Sequence, residues 1–292
     1  MAMQSDRPTV ASLTLEAVQR LFADEAIPLA GNIAFRTLFS VFPFLIFLTA
    51  LAGFFGNADL AEGIVTYLLA VAPEQLVRPL APEIRSIIMV PRTGLLSLSA
   101  LLTIWSAMGG VDSVRVGLNR AYDLKEHRNI FWLYGQNVLF VIGSAAVLLT
   151  VSLLIVFAPV FLAFIDANAP DVRRSFATLD QLRYPIAVFL LTGGLLFGHR
   201  VLPARRLGIV ELLPGVLLTV AVWIALSSAF SIYLVNFSVF ASTYASLSGF
   251  FAALFFLYLS ALVLIFGGEV NRVLSVRRIT RPSPDNGSDK AD

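Results

Sequence analysis

Between Glu211 and Glu269 the chain carries no charged residue for 57 positions, 212–268. A membrane span needs roughly 20 mostly apolar residues to cross about 30 Å of hydrocarbon. This gap holds two spans and a turn, and NFSVFASTYASLSG in its middle supplies the polar break. Four more uncharged stretches follow the same pattern: 37–58, 93–111, 129–165 and 184–199. Backbone polar groups in lipid must be bonded internally, so the spans are helices or barrel strands. Long, evenly apolar runs lack the alternation of barrel strands, and helices follow.

The sequence therefore predicts an all-α integral membrane protein, a six-transmembrane-helix bundle. The spans fall at about 30–55, 94–115, 133–162, 185–203, 209–235 and 247–271. Composition agrees: 58% of the 292 residues are hydrophobic and 14% are charged, against about 25% charge in soluble domains. The organisation expected is a cytoplasmic N-terminal segment, 1–29, a membrane domain, 30–273, and a disordered cytoplasmic tail, 274–292. Residues 12–26 read as an amphipathic helix on the membrane surface, with Ser12 as its N-cap and Leu15, Val18, Leu21 and Phe22 on one face. The N-terminus lacks the pattern of a signal peptide. The stretch 60–72 is apolar but too short to span, which suggests an interfacial or re-entrant piece.

Six spans place both termini on one side. Fourteen Lys and Arg residues fall on that side, six fall opposite, and Arg36 lies within the first span. The positive-inside rule makes both termini cytoplasmic.

Several stretches together resemble the YihY/BrkB family of bacterial inner-membrane proteins. The first span carries AFRTLFSVFPFL (34–45), and the second ends in Leu118-Asn119-Arg120-Ala121-Tyr122. The loop between spans four and five holds Val201-Leu202-Pro203-Ala204-Arg205-Arg206, followed by Leu213-Pro214-Gly215. Span five ends in Phe230, Tyr233, Asn236 and Phe237, then Thr243-Tyr244. Span six closes on Gly268-Glu269-Val270-Asn271. The resemblance covers about 30–273 and implies six helices in the bacterial cytoplasmic membrane. Members carry names that refer to ribonuclease activity, virulence or serum resistance. This chain departs from the family in having Tyr244-Ala245 where Tyr-Gly is common, and in having Asn32 and Arg36 where small or aromatic residues are common.

Candidate site residues are the polar ones inside or at the ends of spans. Arg36 lies about six residues into the first span, about 9 Å deep at 1.5 Å per residue. A charge deep in a span costs about 2.5–3.5 kcal/mol on insertion scales. It reads either as a contact for an anion or lipid phosphate or as an arginine snorkelling to headgroups; Asn32 lies one turn away. Asp112, Arg115 and Asn119, spaced i, i+3, i+7, share a helix face, with Arg120 adjacent. They read as a polar cavity mouth or as an Asp112–Arg115 pair at a basic helix end. Glu269 and Asn271 close span six, and Glu269 is expected to pair with Arg36 or Arg115, as a structural bridge or a proton-linked carboxylate. Tyr233 and Asn236 mark the interface and a cap. Gly109-Gly110, Gly193-Gly194 and Gly267-Gly268 read as close helix approaches.

Several chemistries lack their residues. There is no cysteine, and the two histidines, His127 and His199, lie far apart, so neither a metal site nor a cofactor is expected. Carboxylates are scattered singly and the basic residues mark loops, which argues against a ribonuclease and a nucleic-acid partner. No P-loop or G-x-S-x-G elbow is present. The expectation is a non-enzymatic protein that handles or translocates a lipid-like or amphiphilic anion, with membrane lipids as partners. A scaffold for envelope proteins is the alternative. A protein partner or a homo-oligomer stays open.

Overall fold

The computed structural model describes residues 10–55, 82, 93–157, 170–237 and 245–279. Seven α-helices run through them: α1 Val10–Ala23, α2 Ala26–Phe55, α3 Thr93–Ala121, α4 Ile130–Ser152, α5 Pro170–Val201, α6 Ile209–Phe237 and α7 Ala245–Ile279. There is no strand among the described residues. Six stretches are long and apolar enough to cross a membrane: Ala26–Leu51, Gly94–Ala121, Ile130–Ile155, Gln181–Val201, Ile209–Tyr233 and Gly249–Val276. The protein is an all-α membrane protein with six spanning helices and an amphipathic N-terminal helix. The expected pieces at 60–72 and Tyr244, and the tail from 280 on, lie outside the described residues.

Local chemistry sets the helix ends. α1 begins at Val10, so Ser12 stands inside its first turn and does not cap it. Glu25 follows α1 with φ 56°, and α2 starts at the next residue. Only that two-residue turn, Asp24-Glu25, separates the amphipathic helix from the first span. Asp123 ends α3 in the same left-handed region, φ 53°, and Leu124 N–H donates to the Asn119 carbonyl at 2.8 Å. Asn129 caps α4, its side chain accepting from Phe131 N–H at 2.9 Å. After Ser152, α4 loosens into a π-turn, Leu153–Phe157. Pro43, Pro185 and Pro214 lie inside α2, α5 and α6. α7 runs on to Ile279, past the expected domain boundary at 273.

The chain forms two units, described separately. The first comprises residues 1–34 and 112–292, the second 35–111.

In the first unit α1 packs on α7, α6 on both α5 and α7, and α4 on α5. Its core joins Leu21, Ala26, Ala30, Ile33, Ala121, Ala261 and Ile265. Alanines at 26 and 30, four apart, leave a shallow face on α2. Gly117 of α3 admits Ile265 and Ile33, each within 3.5 Å of where a Cβ would stand. The expected single face of α1 divides in two: Leu21 is buried, while Leu15 and Phe22 are exposed, 59% and 62%. A short helix pressed against α7 shares its apolar residues between that helix and its outer surface. Large apolar side chains also stand outward elsewhere, such as Phe131 at 81%. Surfaces like this suit lipid and not water.

α6 and α7 cross at van der Waals limits. A Cβ on Gly215 would overlap the Gly267 carbonyl, and one on Gly267 would overlap Thr219 Oγ1. Thr219 Oγ1 donates to the Gly215 carbonyl at 2.9 Å, and Trp223 Nε1 to the Ser260 carbonyl at 3.0 Å. Small residues at spanning interfaces allow such approach. Of the glycine pairs singled out above, Gly267-Gly268 does this, whereas Gly193 has nothing within 4 Å. Gly215 is the partner that the pairs alone did not reveal.

The second unit comprises the later part of α2 and the earlier part of α3. Phe35 and Phe39 stack at 6.1 Å, and Phe39 meets Phe42 edge-on at 6.5 Å. Thr37 lies against Gly110, its Oγ1 3.5 Å from where a Cβ would stand.

Candidate functional site

Four polar constellations emerge from these elements, three in the first unit and one in the second.

Asp112, Arg115 and Asn119 share one face of α3, as their spacing requires. Arg115 donates from Nε at 3.2 Å and from Nη2 at 2.7 Å to Asp112 Oδ1, and from Nη1 at 2.5 Å to Glu126 Oε2. Every nitrogen of this guanidinium thus meets a carboxylate. Glu126 is the hub. It also accepts from Asn119 Nδ2 at 3.2 Å and from Arg128 Nη2 at 2.7 Å and Nε at 2.8 Å. Arg128 extends the network to the Leu202 carbonyl at 2.7 Å, and Gln136 donates to the Val201 carbonyl at 2.8 Å. Asn119 Oδ1 accepts from Ala204 N–H at 2.7 Å. The network ties the end of α3, the α3–α4 loop and the α5–α6 loop together. Arg128 first, through a side-chain hydrogen bond, and then its N–H and Arg115 hold the Glu126 carboxyl well below the usual carboxylate range. The Asp112–Arg115 pair forms, and the geometry is that of a structural clasp.

The second constellation is buried. Tyr122 Oη lies 2.7 Å from His199 Nδ1 and accepts from Asn271 Nδ2 at 3.2 Å. Asn271 Oδ1 accepts from Gly215 N–H at 2.6 Å. Burial pushes the Tyr122 phenol above its ordinary range, while the Asn271 hydrogen bond works the other way. With Asn271 donating to Oη, a phenol proton pointing at Nδ1 places the imidazole proton on Nε2. That Nε2 is buried with no hydrogen-bond partner among the described residues.

Glu269 is fully buried, and neither of its oxygens accepts a hydrogen bond among the described residues. The expected bridge to Arg115 does not form, because Asp112 and Glu126 occupy that guanidinium. The charged groups that act on Glu269 are Asp24, Arg272 and Arg20. Arg272 spans two turns, reaching Asp123 at 2.8 Å and Asp24 at 3.6 Å. Arg120 pairs at 3.5 Å with Glu25, both more than half exposed, a geometry worth little in energy.

In the second unit, exposed Arg36 donates from Nη1 to the Gly109 carbonyl at 3.5 Å. A Cβ at position 109 would stand 3.1 Å from that same Nη1. The glycine therefore makes the seat for the guanidinium. Asn32, in the first unit, donates to Ser113 Oγ at 3.3 Å. Tyr233 is exposed and stacks on Phe230 at 5.9 Å; the Asn236 side chain lies outside the described residues.

The structure thus gathers Asp112, Arg115 and Asn119 in one cluster, places Asn271 with Tyr122 and His199, and sets Glu269 apart near Asp24 and Arg272. Sequence reasoning passed over Glu126, Arg128, Tyr122, His199 and Asp24. Glu126 and Arg128 read as ordinary loop charges. His199, a histidine at the end of an apolar span, was the one visible hint of a buried polar group.

Comparison with known proteins bears on the whole membrane domain. The chain is 27% identical over 271 residues, 91% of its length and 96% of the relative's, to YfkH of Bacillus subtilis (strain 168), a protein named as ribonuclease-like. No solved structure matches it. The family model described as virulence factor BrkB matches residues 17–292, and with six spanning helices the chain belongs to the BrkB family.

Proposed function

We propose that this protein binds and moves a lipid-like or amphiphilic anion in the bacterial cytoplasmic membrane, with both termini on the cytoplasmic side, and that it is not an enzyme. One observation carries the reading: an exposed guanidinium inside a spanning helix, Arg36, seated on a glycine. A free snorkelling arginine needs no shaped seat. Arg36 binds the anionic group there, while the surrounding apolar surface accommodates a hydrophobic part. Arg115 is left out of this reading, because each of its guanidinium nitrogens already donates to Asp112 or Glu126.

Native mass spectrometry of co-purified lipids tests the reading, in wild type, Arg36→Ala and Gly109→Leu. The expected result is selective retention of one anionic lipid by wild type, lost in both variants, with a matching loss of lipid movement in vesicles. Profiles that match bulk membrane in all three proteins overturn it. Orientation has its own test. Ser242→Cys, the only thiol in a chain without cysteine, reacts with an impermeant reagent from the periplasmic face; labelling solely from the cytoplasmic face reverses the topology.

A further inference from the structure

The junction of α1 with α7 contains two carboxyl groups side by side. Glu269 of α7 has no exposed surface, and both of its oxygens are without a hydrogen-bond donor among the described residues. The Asp24 carboxyl, in the turn that follows α1, pairs at 3.6 Å with Arg272, three residues along α7 from Glu269, and is the first of the charged groups that act on Glu269. Two carboxylates are four acceptor sites and no donor. The charged groups nearby supply no donor to Glu269 among the described residues: Arg20, on α1, pairs through Nη2 with Glu16 at 3.5 Å, and its buried Nε has no hydrogen-bond partner there. Arg272, on α7, is divided between Asp123 and Asp24. From the end of α3, Tyr122 is engaged by His199 and Asn271. α6 meets this stretch of α7 through Gly215 and Thr219, which carry no charge.

We propose that Glu269 and Asp24 form a proton-binding pair, in which one proton taken from water resides on Glu269 and is donated to the Asp24 carboxylate. The proton supplies the missing donor and removes one of two neighbouring like charges. Binding is reversible and balanced: a carboxylate oxygen of Glu269 gains the proton that water gives up, and returns it when the pair opens. Asp24 sits in the turn that joins α1 to the first span, so occupancy of the site alters how α1 is held against α7. The inference rests on the first unit alone and stands or falls apart from the anion reading at Arg36.

The experiment is infrared difference spectroscopy of the full-length protein in lipid nanodiscs, recorded as pH is raised, for wild type, Glu269→Gln and Asp24→Asn. Wild type is expected to show the C=O stretch of a protonated carboxyl that vanishes with rising pH. Glu269→Gln loses the band. Asp24→Asn keeps it, at a shifted frequency and with a shifted midpoint, because an amide is a weaker acceptor than a carboxylate. Absence of any band that distinguishes wild type from Glu269→Gln, across the pH range in which both stay folded, overturns the proposal. So does a band that survives in Glu269→Gln and is lost in Asp24→Asn, or one that sodium or potassium abolishes at constant pH. Where Glu269→Gln does not accumulate, Glu269→Asp takes its place: a displaced band supports the pair, and a spectrum identical to wild type overturns it.

Discussion

Two charged regions of the first unit are built on opposite principles. Around Glu126, each carboxylate faces a guanidinium, an amide or a backbone donor, and three chain segments are tied by the result. Around Glu269, a fully buried carboxyl has no hydrogen-bond donor among the described residues, and the partly exposed Asp24 adds a second acid that acts on it. Satisfied charge holds loops in place. Unsatisfied buried charge is costly, and a protein that keeps it gains a group able to change state. The comparison separates satisfied from unsatisfied polarity better than the residue types do, because both regions consist of acids and arginines.

The sharpest way to break the contrast is Glu126→Gln. It leaves Arg115, whose side chain is 9% exposed, short of one carboxylate, and Arg128 short of its main partner. The expected loss is about 3–5 kcal/mol, read as a lowered unfolding temperature in detergent; a change under about 1 kcal/mol would show that the clasp does not hold the loops. Next comes Gly215→Ala, which drives a Cβ into the Gly267 carbonyl and Asn271 and is expected to cost about 1–3 kcal/mol. Gly193→Ala, with open space around it, is the control and should stabilise α5 by a few tenths up to about 1 kcal/mol.

A third effect is pH dependence. The Glu126 carboxyl is held below its unfolded value of about 4.3. Its contribution is fully present above that value and fades as pH falls through the lower folded value. Melting curves of wild type and Glu126→Gln should therefore converge below about pH 4 and stay apart at neutral pH. A gap unchanged on acidification would assign the stabilisation to packing. The smallest expected stability effect is that of Arg36→Ala, within about 0.5 kcal/mol as for other exposed positions. A large loss of stability there would make Arg36 a structural residue like Arg115.

Much of the architecture could be read from hydropathy. All six spans have a counterpart near the expected residues, although α3 continues to Ala121 and α5 begins as early as Pro170. Asp112, Arg115 and Asn119 fell on one face because helical spacing is local. The partners of these residues were not legible. Glu126 lies 11 residues from Arg115, and Val201 and Leu202 lie 73 and 74 residues from Arg128. No spacing rule connects positions so far apart. Glu269 shows the same limit from the other side. An arginine partner, Arg36 or Arg115, was expected for it, and the acid that acts on it instead comes from the turn after α1.

The sequence by itself determined that this protein spans a membrane six times, that a short amphipathic helix precedes the first span, and which family it resembles. Those properties depend on runs of apolar residues and on neighbours three or four positions apart, and the cost of apolar surface in water or of bare backbone in lipid enforces them segment by segment. The tertiary structure decided which charges are neutralised, which glycines carry a helix crossing and which carboxyl is left without a donor. Those outcomes depend on distances of a few ångströms between groups far apart in the chain, and such distances exist only once the helices have packed.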